Sequence, residues 1–389
     1  MSTNYNFKTV GYSEIDKFAI KSYSAIHNIS EDKNWGDITQ IYPENLPDIT
    51  FLAGGSPCQD FSIGGKKKGT LWSCKSCGNE YNPLTVDYTK RRLCPLCGSE
   101  DIEKTRSSLL VHLLEILQEK MPEVFIYENV KNLVSKTFKE TFDLFISEIE
   151  SYGYNVYYKV MNAKDYGIPQ NRERVFVVAI RKDLDNHKFV FPEAMPQGKT
   201  INDLLEDCSA LFENTDQNIL IDPTISPYIM PALRRDAEDI VRSDKNIFYM
   251  KCKSGFQDHS VGIKYSPTLR AMNASTLVLQ THQTPTGEKF FIKRLTPKEA
   301  FRFMGFDDID YAKAAAVVSK NQIYKQAGNS IAVNVVYAVL KNLFEAMPYL
   351  FENIKFGHFF SGIGAFEKAF EKIMAEINQQ EMAQNQKAA

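Results

Sequence analysis

Short apolar runs alternate with helical patterns from Phe7 to Ile180, and this alternation constrains the fold more than any other feature of the chain. Phe7 to Ile15 reads as a strand and Lys17 to His27 as a helix. Asp48 to Ala53 is a second strand, running into the turn-rich GGSPCQDFS. Leu109 to Leu117 is helical, Val124 to Tyr127 is a buried strand, and Phe138 to Ile149 is a helix. Tyr154 to Val160 and Arg174 to Ile180 are further strands. Such alternation predicts an α/β fold, with a mostly parallel sheet and helices on both faces.

From Arg181 to about Lys293 the rhythm breaks down. Prolines and scattered charges, as in DPTISPYIMPALRRDAED, predict a smaller, irregular domain. Pro297 to Phe303 then reads as a helix, as does the strongly apolar Ser330 to Met347. Lys355 to Phe360 is a new strand, followed by Ser-Gly-Ile-Gly and a helix from Ala365; the polar tail after Gln379 is expected to fray. The expected division is a first domain over 1–181, a second over 182–293, and the rest of the first over 294–389. No internal repeat is present.

The 389 residues are 43% hydrophobic and 24% charged, with a formal net charge of −2. That excludes a disordered, collagen-like or disulfide-scaffold protein. No apolar run approaches the ~18–20 residues of a membrane span, and the polar start, Met1 to Phe7, has no signal-peptide core. The seven cysteines are an odd number with four in two close pairs, which points to a reducing interior, a cytoplasmic setting, and thiol or metal chemistry. With near-neutral charge, any nucleic-acid surface must be local.

Three motifs carry candidate chemistry. Cys58 sits just past a buried strand, at the sheet edge where open α/β folds place ligands; taken alone it reads more readily as a small core cysteine, and other residues must decide. Glu128, in FIYENVKNL, follows another apolar strand and should emerge on the same edge. There it could hydrogen-bond a heterocycle or deliver a proton, or merely start a helix. Arg172 and Arg174, at alternating positions in QNRER, suit an anionic backbone or a polar base edge, or a solvated strand end.

Taken in order, SPCQ, ENV and QNRER resemble the cytosine-5 DNA methyltransferases. Glu14 in YSEID, Asp37 in WGDIT, RLTPKEAFRFMGF and QAGNS (Gln326 to Ser330) fit the same family. Recognisable blocks run from 9 to 182 and from 262 to 370. One is displaced: the Phe-x-Gly-x-Gly loop that usually begins such enzymes appears as FFSGIGAFEKAF, Phe359 to Phe370, after every other block. We read this order as a circular permutation. The permuted first strand and cofactor loop would occupy 355–378.

The resemblance implies a Rossmann-like S-adenosylmethionine-dependent methyltransferase sheet with a target-recognition domain at 182–293. It also implies a mechanism. Cys58 adds to carbon 6 of a cytosine flipped out of double-stranded DNA, making carbon 5 nucleophilic toward the methyl of S-adenosylmethionine. Glu128 would bond the ring nitrogen and exocyclic amine, Arg174 the carbonyl oxygen, and Arg172 would support the loop or backbone. For the cofactor, Phe360, Ser361, Gly362, Ile363 and Gly364 would wrap the methionine end. Glu14 would bond the ribose, Asp37 the adenine amine, and Asn329 and Ser330 the methionine portion. Ile38, Pro57 and Leu109 would complete the pocket. Ile15 departs from a frequent pattern, an aromatic stacked on adenine, so a weaker hold is expected. Thr268 and Leu269, in GIKYSPTLRAM, resemble the block that closes on the flipped site. A related RNA methyltransferase and a silent DNA-binding module are the competing readings. The expected setting is a bacterium or its phage and the expected state a monomer; the sequence leaves open whether a cognate restriction endonuclease is a partner.

Cys74-Lys-Ser-Cys77, sixteen residues, then Cys94-Pro-Leu-Cys97 has the spacing of a four-thiolate zinc site, here a zinc ribbon inserted at 70–106. Lys66 to Arg106 holds nine basic and five acidic residues, a net +4. The ribbon is expected either to add phosphate contacts or to plug a long loop. The recognition region, with 13 basic and 15 acidic residues over 182–293, is not a basic patch, so base reading must rely on a few placed side chains. Cys208 and Cys252 read as structural.

Overall fold

The computed structural model describes residues 5–57, 70–87, 90–105, 107–195, 198–213, 215–225, 235, 247–251, 258–262, 265–269, 276–285 and 287–388. Six strands build the central sheet. They are β1 (Phe7–Ser13), β2 (Phe51–Gly54), β3 (Val124–Val130), β4 (Tyr154–Asn162), β5 (Glu173–Arg181) and β6 (Ile354–Phe359). Their spatial order is β1-β6-β2-β3-β5-β4. The last strand in sequence thus lies between the first two. It is parallel to both, with Ile354 opposite Phe7 and Phe356 opposite Phe51. β2 and β3 are also parallel. β5 runs antiparallel to β3 and β4, so the sheet is mixed.

The central strands are apolar on both faces, as a sheet covered on both sides requires. Phe51 and Ala53 face one core with Val124, Ile126, Phe176 and Val178. Leu52 faces the other with Phe125, Tyr127, Val175 and Val177. On the first face lie α1 (Lys17–His27), α4 (Pro297–Arg302), α5 (Asp308–Ala315), α6 (Lys320–Asn329), α7 (Val333–Ala346) and α8 (Ala365–Ala388), with Val336, Leu340, Phe366 and Phe370 reaching inward. On the second lie α2 (Leu110–Lys120) and α3 (Lys139–Ser151), through Leu113, Leu117, Phe142 and Phe145. No helix among the described residues is long and apolar enough to cross a membrane.

Three local expectations are corrected. The predicted single helix from Ser330 begins only at Val333, because Ser330 is extended (φ −69°, ψ 161°) at the end of α6. α8 continues through Ala388 rather than fraying after Gln379. The region expected to be irregular carries a five-stranded sheet, in the order 219–221, 287–294, 276–284, 258–262, 247–251. Its core is an antiparallel hairpin pairing Leu277 with Arg294 through Thr284 with Gly287.

The segment between the cysteine pairs is docked on the second face. Arg91 is buried and forms a bidentate pair with Glu148 of α3, Nη1–Oε1 2.7 Å and Nη2–Oε2 2.5 Å. Its Nε donates to the carbonyls of Pro83 and Val86. Trp72, Leu84 and Cys94 join the core of α2 and α3.

Candidate functional site

The parallel strands β1, β6, β2 and β3 end along one edge of the sheet: Phe359 faces Ser13 and Gly54, and Gly54 faces Tyr127. Ligands bind at this edge in open α/β sheets. β5 reaches it with its amino end because it runs the other way, so Arg174 pairs with Val130 and Phe176 with Glu128. Two motifs that lie on opposite ends of their strands in the sequence therefore meet.

Glu128 is buried, and its Oε1 lies 3.0 Å from Nε of Arg174. Burial pushes its carboxyl up, while the charges of Arg174 and Arg172 pull the other way. The turn after β2 crosses directly over it. A Cβ on Gly55 would lie 2.9 Å from the Glu128 carbonyl oxygen and 3.3 Å from Oε2, so this crossing needs glycine. Asn129 fastens the same turn: its Nδ2 donates to the Ser56 carbonyl at 3.1 Å and to the Tyr127 hydroxyl at 2.7 Å. Pro57 follows, half-buried. Cys58 lies outside the described residues.

Arg172 is buried and makes different contacts from Arg174, the ion-pair partner of Glu128. Its Nη2 donates to the carbonyls of Ser330 (2.6 Å) and Gly328 (3.2 Å), and its Nη1 to that of Leu269 (3.4 Å). It ties its own strand to two other segments through their backbone carbonyls. Thr268 is held nearby, its Oγ1 donating to the Asn171 carbonyl at 2.7 Å.

The loop after β6 has a left-handed backbone at Phe360 (φ 57°), Gly362 (φ 56°) and Gly364 (φ 79°). The Gly362 N–H donates to Oε2 of Glu14 at 2.9 Å, and Oε1 of Glu14 accepts from the N–H groups of Ile15 and Asp16. Ser361 Oγ is buried with no hydrogen-bond partner among the described residues, and a Cβ on Gly362 would meet nothing within 4 Å. S-adenosylmethionine presents hydroxyls and an ammonium to acceptors and a carboxylate to donors. A carboxylate, a spare hydroxyl and open space over a glycine fit that group.

The other predicted cofactor residues are more scattered. Ile363 and Ile38 are buried, Leu109 and Phe360 pack at the rim of the second core, and Asp37 is exposed with its carboxylate capping Thr39. Ile15 is 73% exposed. Asn329 is exposed and Ser330 buried, both at the end of α6. Beneath the loop lies a polar network that the sequence motifs do not mark. Tyr23 donates to Glu367 at 2.6 Å, and His358 Nδ1 lies 2.9 Å from both oxygens of Glu367. Tyr23 and Glu367 are 344 positions apart, and nothing local announces such a pair.

The four clustered thiols come together as their spacing predicts. Their Sγ atoms lie within 4.8 Å of one another, with Cys74–Cys97 at 3.6 Å and Cys77–Cys94 at 3.7 Å. Four thiolates ~2.3 Å from a tetrahedral zinc would be ~3.8 Å apart, so the donor set fits zinc. Each pair closes a similar turn: Gly78 donates to the Cys74 carbonyl and Gly98 to that of Cys94, both at 2.8 Å and both with positive φ. Cys208 is buried; Cys252 lies outside the described residues.

The C-5 cytosine-specific DNA methylase family model matches residues 2–75 and 96–345. Among curated proteins, the type II methyltransferase M2.ScrFI of Lactococcus lactis subsp. cremoris is 34% identical over 316 residues, 81% of this chain and 72% of that protein. The type II methyltransferase M.Bsp6I of Bacillus sp. is 31% identical, covering 88% and 92%. The orphan methyltransferase M.SPBetaI of Bacillus phage SPbeta is 29% identical, covering 87% and 92%. Among solved structures, the Entamoeba histolytica methyltransferase EhMeth shares the fold at 17% identity with a TM-score of 0.53, over 86% of this chain and 89% of that one. The chain belongs to the C-5 cytosine-specific DNA methylase family.

Proposed function

We propose that this enzyme transfers a methyl group from S-adenosylmethionine to carbon 5 of a cytosine in double-stranded DNA, through a covalent adduct with Cys58. The observation that carries the reading is the Glu128–Arg174 pair at the carboxyl edge of the sheet, under the Gly55–Pro57 turn that leads into Cys58. The relatives' descriptions as bacterial and phage type II or orphan methyltransferases favour DNA over RNA as the substrate.

Cytosine carbon 5 is too weak a nucleophile to take a methyl group unaided. The Cys58 thiolate adds to carbon 6, and the electron pair of the 5,6 double bond becomes available at carbon 5. Glu128, whose carboxyl burial holds up, bonds the ring nitrogen and amine as that charge develops. Arg174 holds Glu128 and reaches the ring carbonyl; Arg172 acts through the backbone, positioning the Leu269 and Ser330 segments. S-adenosylmethionine supplies the electrophilic methyl group when bound at Glu14 and residues 360–364. Loss of the carbon 5 proton and expulsion of the thiolate restore the ring. Because Glu128 is buried, the base must leave the duplex stack to reach it.

The permuted order belongs to the same proposal. It is supported by the seat of β6 between β1 and β2, and by the family match ending at residue 345, before β6 and α8. We likewise read 70–106 as a zinc ribbon, supported by the thiol geometry and by the gap at 76–95 in the family match. Residues 1–181 with 294–389 would form the catalytic domain and 182–293 the recognition domain.

The test is labelled-methyl transfer to unmethylated plasmid DNA with bisulfite sequencing, beside Cys58→Ser. Methylation recurring at one sequence and absent in the variant is the expected result. Folded, cofactor-binding protein that transfers nothing to DNA would sink the reading.

A further inference from the structure

His27, in the last turn of α1, sits directly under the cofactor loop and makes two contacts that a neutral imidazole cannot satisfy together. Its Nε2 is 3.0 Å from the backbone carbonyl oxygen of Ile363, and its Nδ1 is 3.0 Å from Oε1 of Glu371 on α8. A carbonyl oxygen only accepts, and so does an ionised carboxylate. A neutral ring carries one N–H, so one of the two contacts would be repulsive; an imidazolium carries two and satisfies both. Glu371 is 39% exposed and lies 3.8 Å from Lys368.

The surroundings support a cation. His27 is almost fully buried, and its titration is raised by its bond to Glu371, by the charges of Glu367 and Glu371, and by the Ile363 carbonyl, which together outweigh desolvation. The charged and titratable groups around it are Tyr23 on its own helix, with ring centres 5.0 Å apart, and Glu367, Lys368 and Glu371 on α8. Beyond Glu367 lies His358 of β6. From α5, Lys313 donates to the Ile26 carbonyl, while Asp310 and the adjacent Asp307 occupy Lys368. The loop is fitted around the ring: a Cβ on Gly364 would lie 2.2 Å from His27 Nε2.

We propose that His27 is a cationic positioning residue for the cofactor loop, its doubly protonated ring tying the Ile363 carbonyl to Glu371 and holding residues 360–364 in the shape that takes S-adenosylmethionine. This rests on the reading of 360–364 as the cofactor loop. Three left-handed residues in five are not a conformation a free loop keeps, and holding them before binding spares the cofactor that ordering cost.

Two measurements test it. Nitrogen-15 spectra of the imidazole at neutral pH are expected to show both ring nitrogens of His27 protonated; one protonated nitrogen would overturn the proposal. Calorimetric binding of S-adenosylmethionine from about pH 6 to about pH 9 is expected to weaken roughly tenfold as the cation is lost, the size of one charge-assisted hydrogen bond. His27→Gln should bind at low pH roughly tenfold more weakly than the wild type and keep only the pH dependence of the cofactor's own ammonium. A flat wild-type profile, or a His27→Gln profile matching the wild type, overturns the role of His27, and the imidazole spectra decide even if that variant does not fold. Gly362→Val separates the two levels: it fills the open space over the loop, and unchanged binding by it would instead overturn the cofactor-loop reading.

Discussion

At the scale of single residues, Glu128 is under opposing forces. Burial favours its neutral form, and the guanidinium of Arg174 at 3.0 Å favours the anion. The net shift is upward, so its contribution to stability is present in acid and declines as pH rises from the ordinary carboxyl range through the raised value. Glu128→Gln keeps the shape and cannot ionise. The difference in melting temperature between wild type and this variant is expected to move in the variant's favour as pH rises over that window. Its methyl-transfer turnover is expected to fall by about 10²-fold or more, the range for a lost acid–base group. Stability retained with activity lost is the signature to look for in parallel melting and transfer assays. Glu128, Arg172, Arg174 and the loop glycines are legible in the sequence because their motifs are local. Their division of labour is not: both arginines look alike in QNRER, yet one pairs with Glu128 and the other with three backbone carbonyls.

At the scale of elements, the cysteine-bearing segment is stapled to the body. Arg91 and Glu148 form a buried, bidentate pair, and removing one partner leaves the other charge buried without it. Arg91→Ala is expected to destabilise the protein by about 3–5 kcal/mol, measured by denaturant unfolding. Metal analysis of purified protein is expected to find about one zinc per chain, and Cys74→Ser to lose it. Chelation should open residues 70–106 to protease while the central sheet stays protected, because structural zinc supplies local folding energy. The paired C-x-x-C spacing announced these thiols; no pattern announced Glu148 as the segment's anchor, since a glutamate on an exposed-looking helix face carries no mark of its partner.

At the scale of the whole molecule, sheet position matters more than chain order. The amino ends of β1 and β6 are stitched together: Ile354 N–H donates to the Asn6 carbonyl at 2.9 Å and Asn6 Nδ2 to Asn353 Oδ1 at 3.0 Å. The strand's neighbours, not its place in the chain, define its seat. A rearranged chain that begins at Met347, runs through α8 to Gln379, and joins by a Gly-Ser linker to Tyr5 and on to Ala346 is therefore expected to fold. It should retain methyl transfer to within about tenfold, because a flexible link adds little closure cost. Failure to fold, judged by circular dichroism and melting, would mean that the α7–β6 connection contributes more than a tether.

The sequence by itself determined most strands and helices of the central sheet and its two covering layers, which motifs are candidates for the chemistry, and that four thiols come together. Each of those rests on local periodicity, spacing or motif. The tertiary structure decided the direction of β5, the insertion of β6 between β1 and β2, and the meeting of His27 with the loop that follows β6. A strand's period-two pattern is the same whichever way it runs, so local sequence cannot report its direction or its neighbours. Only the long-range pairing of the folded sheet brings the amino end of β5 to the carboxyl end of β3, and with it Arg174 to Glu128.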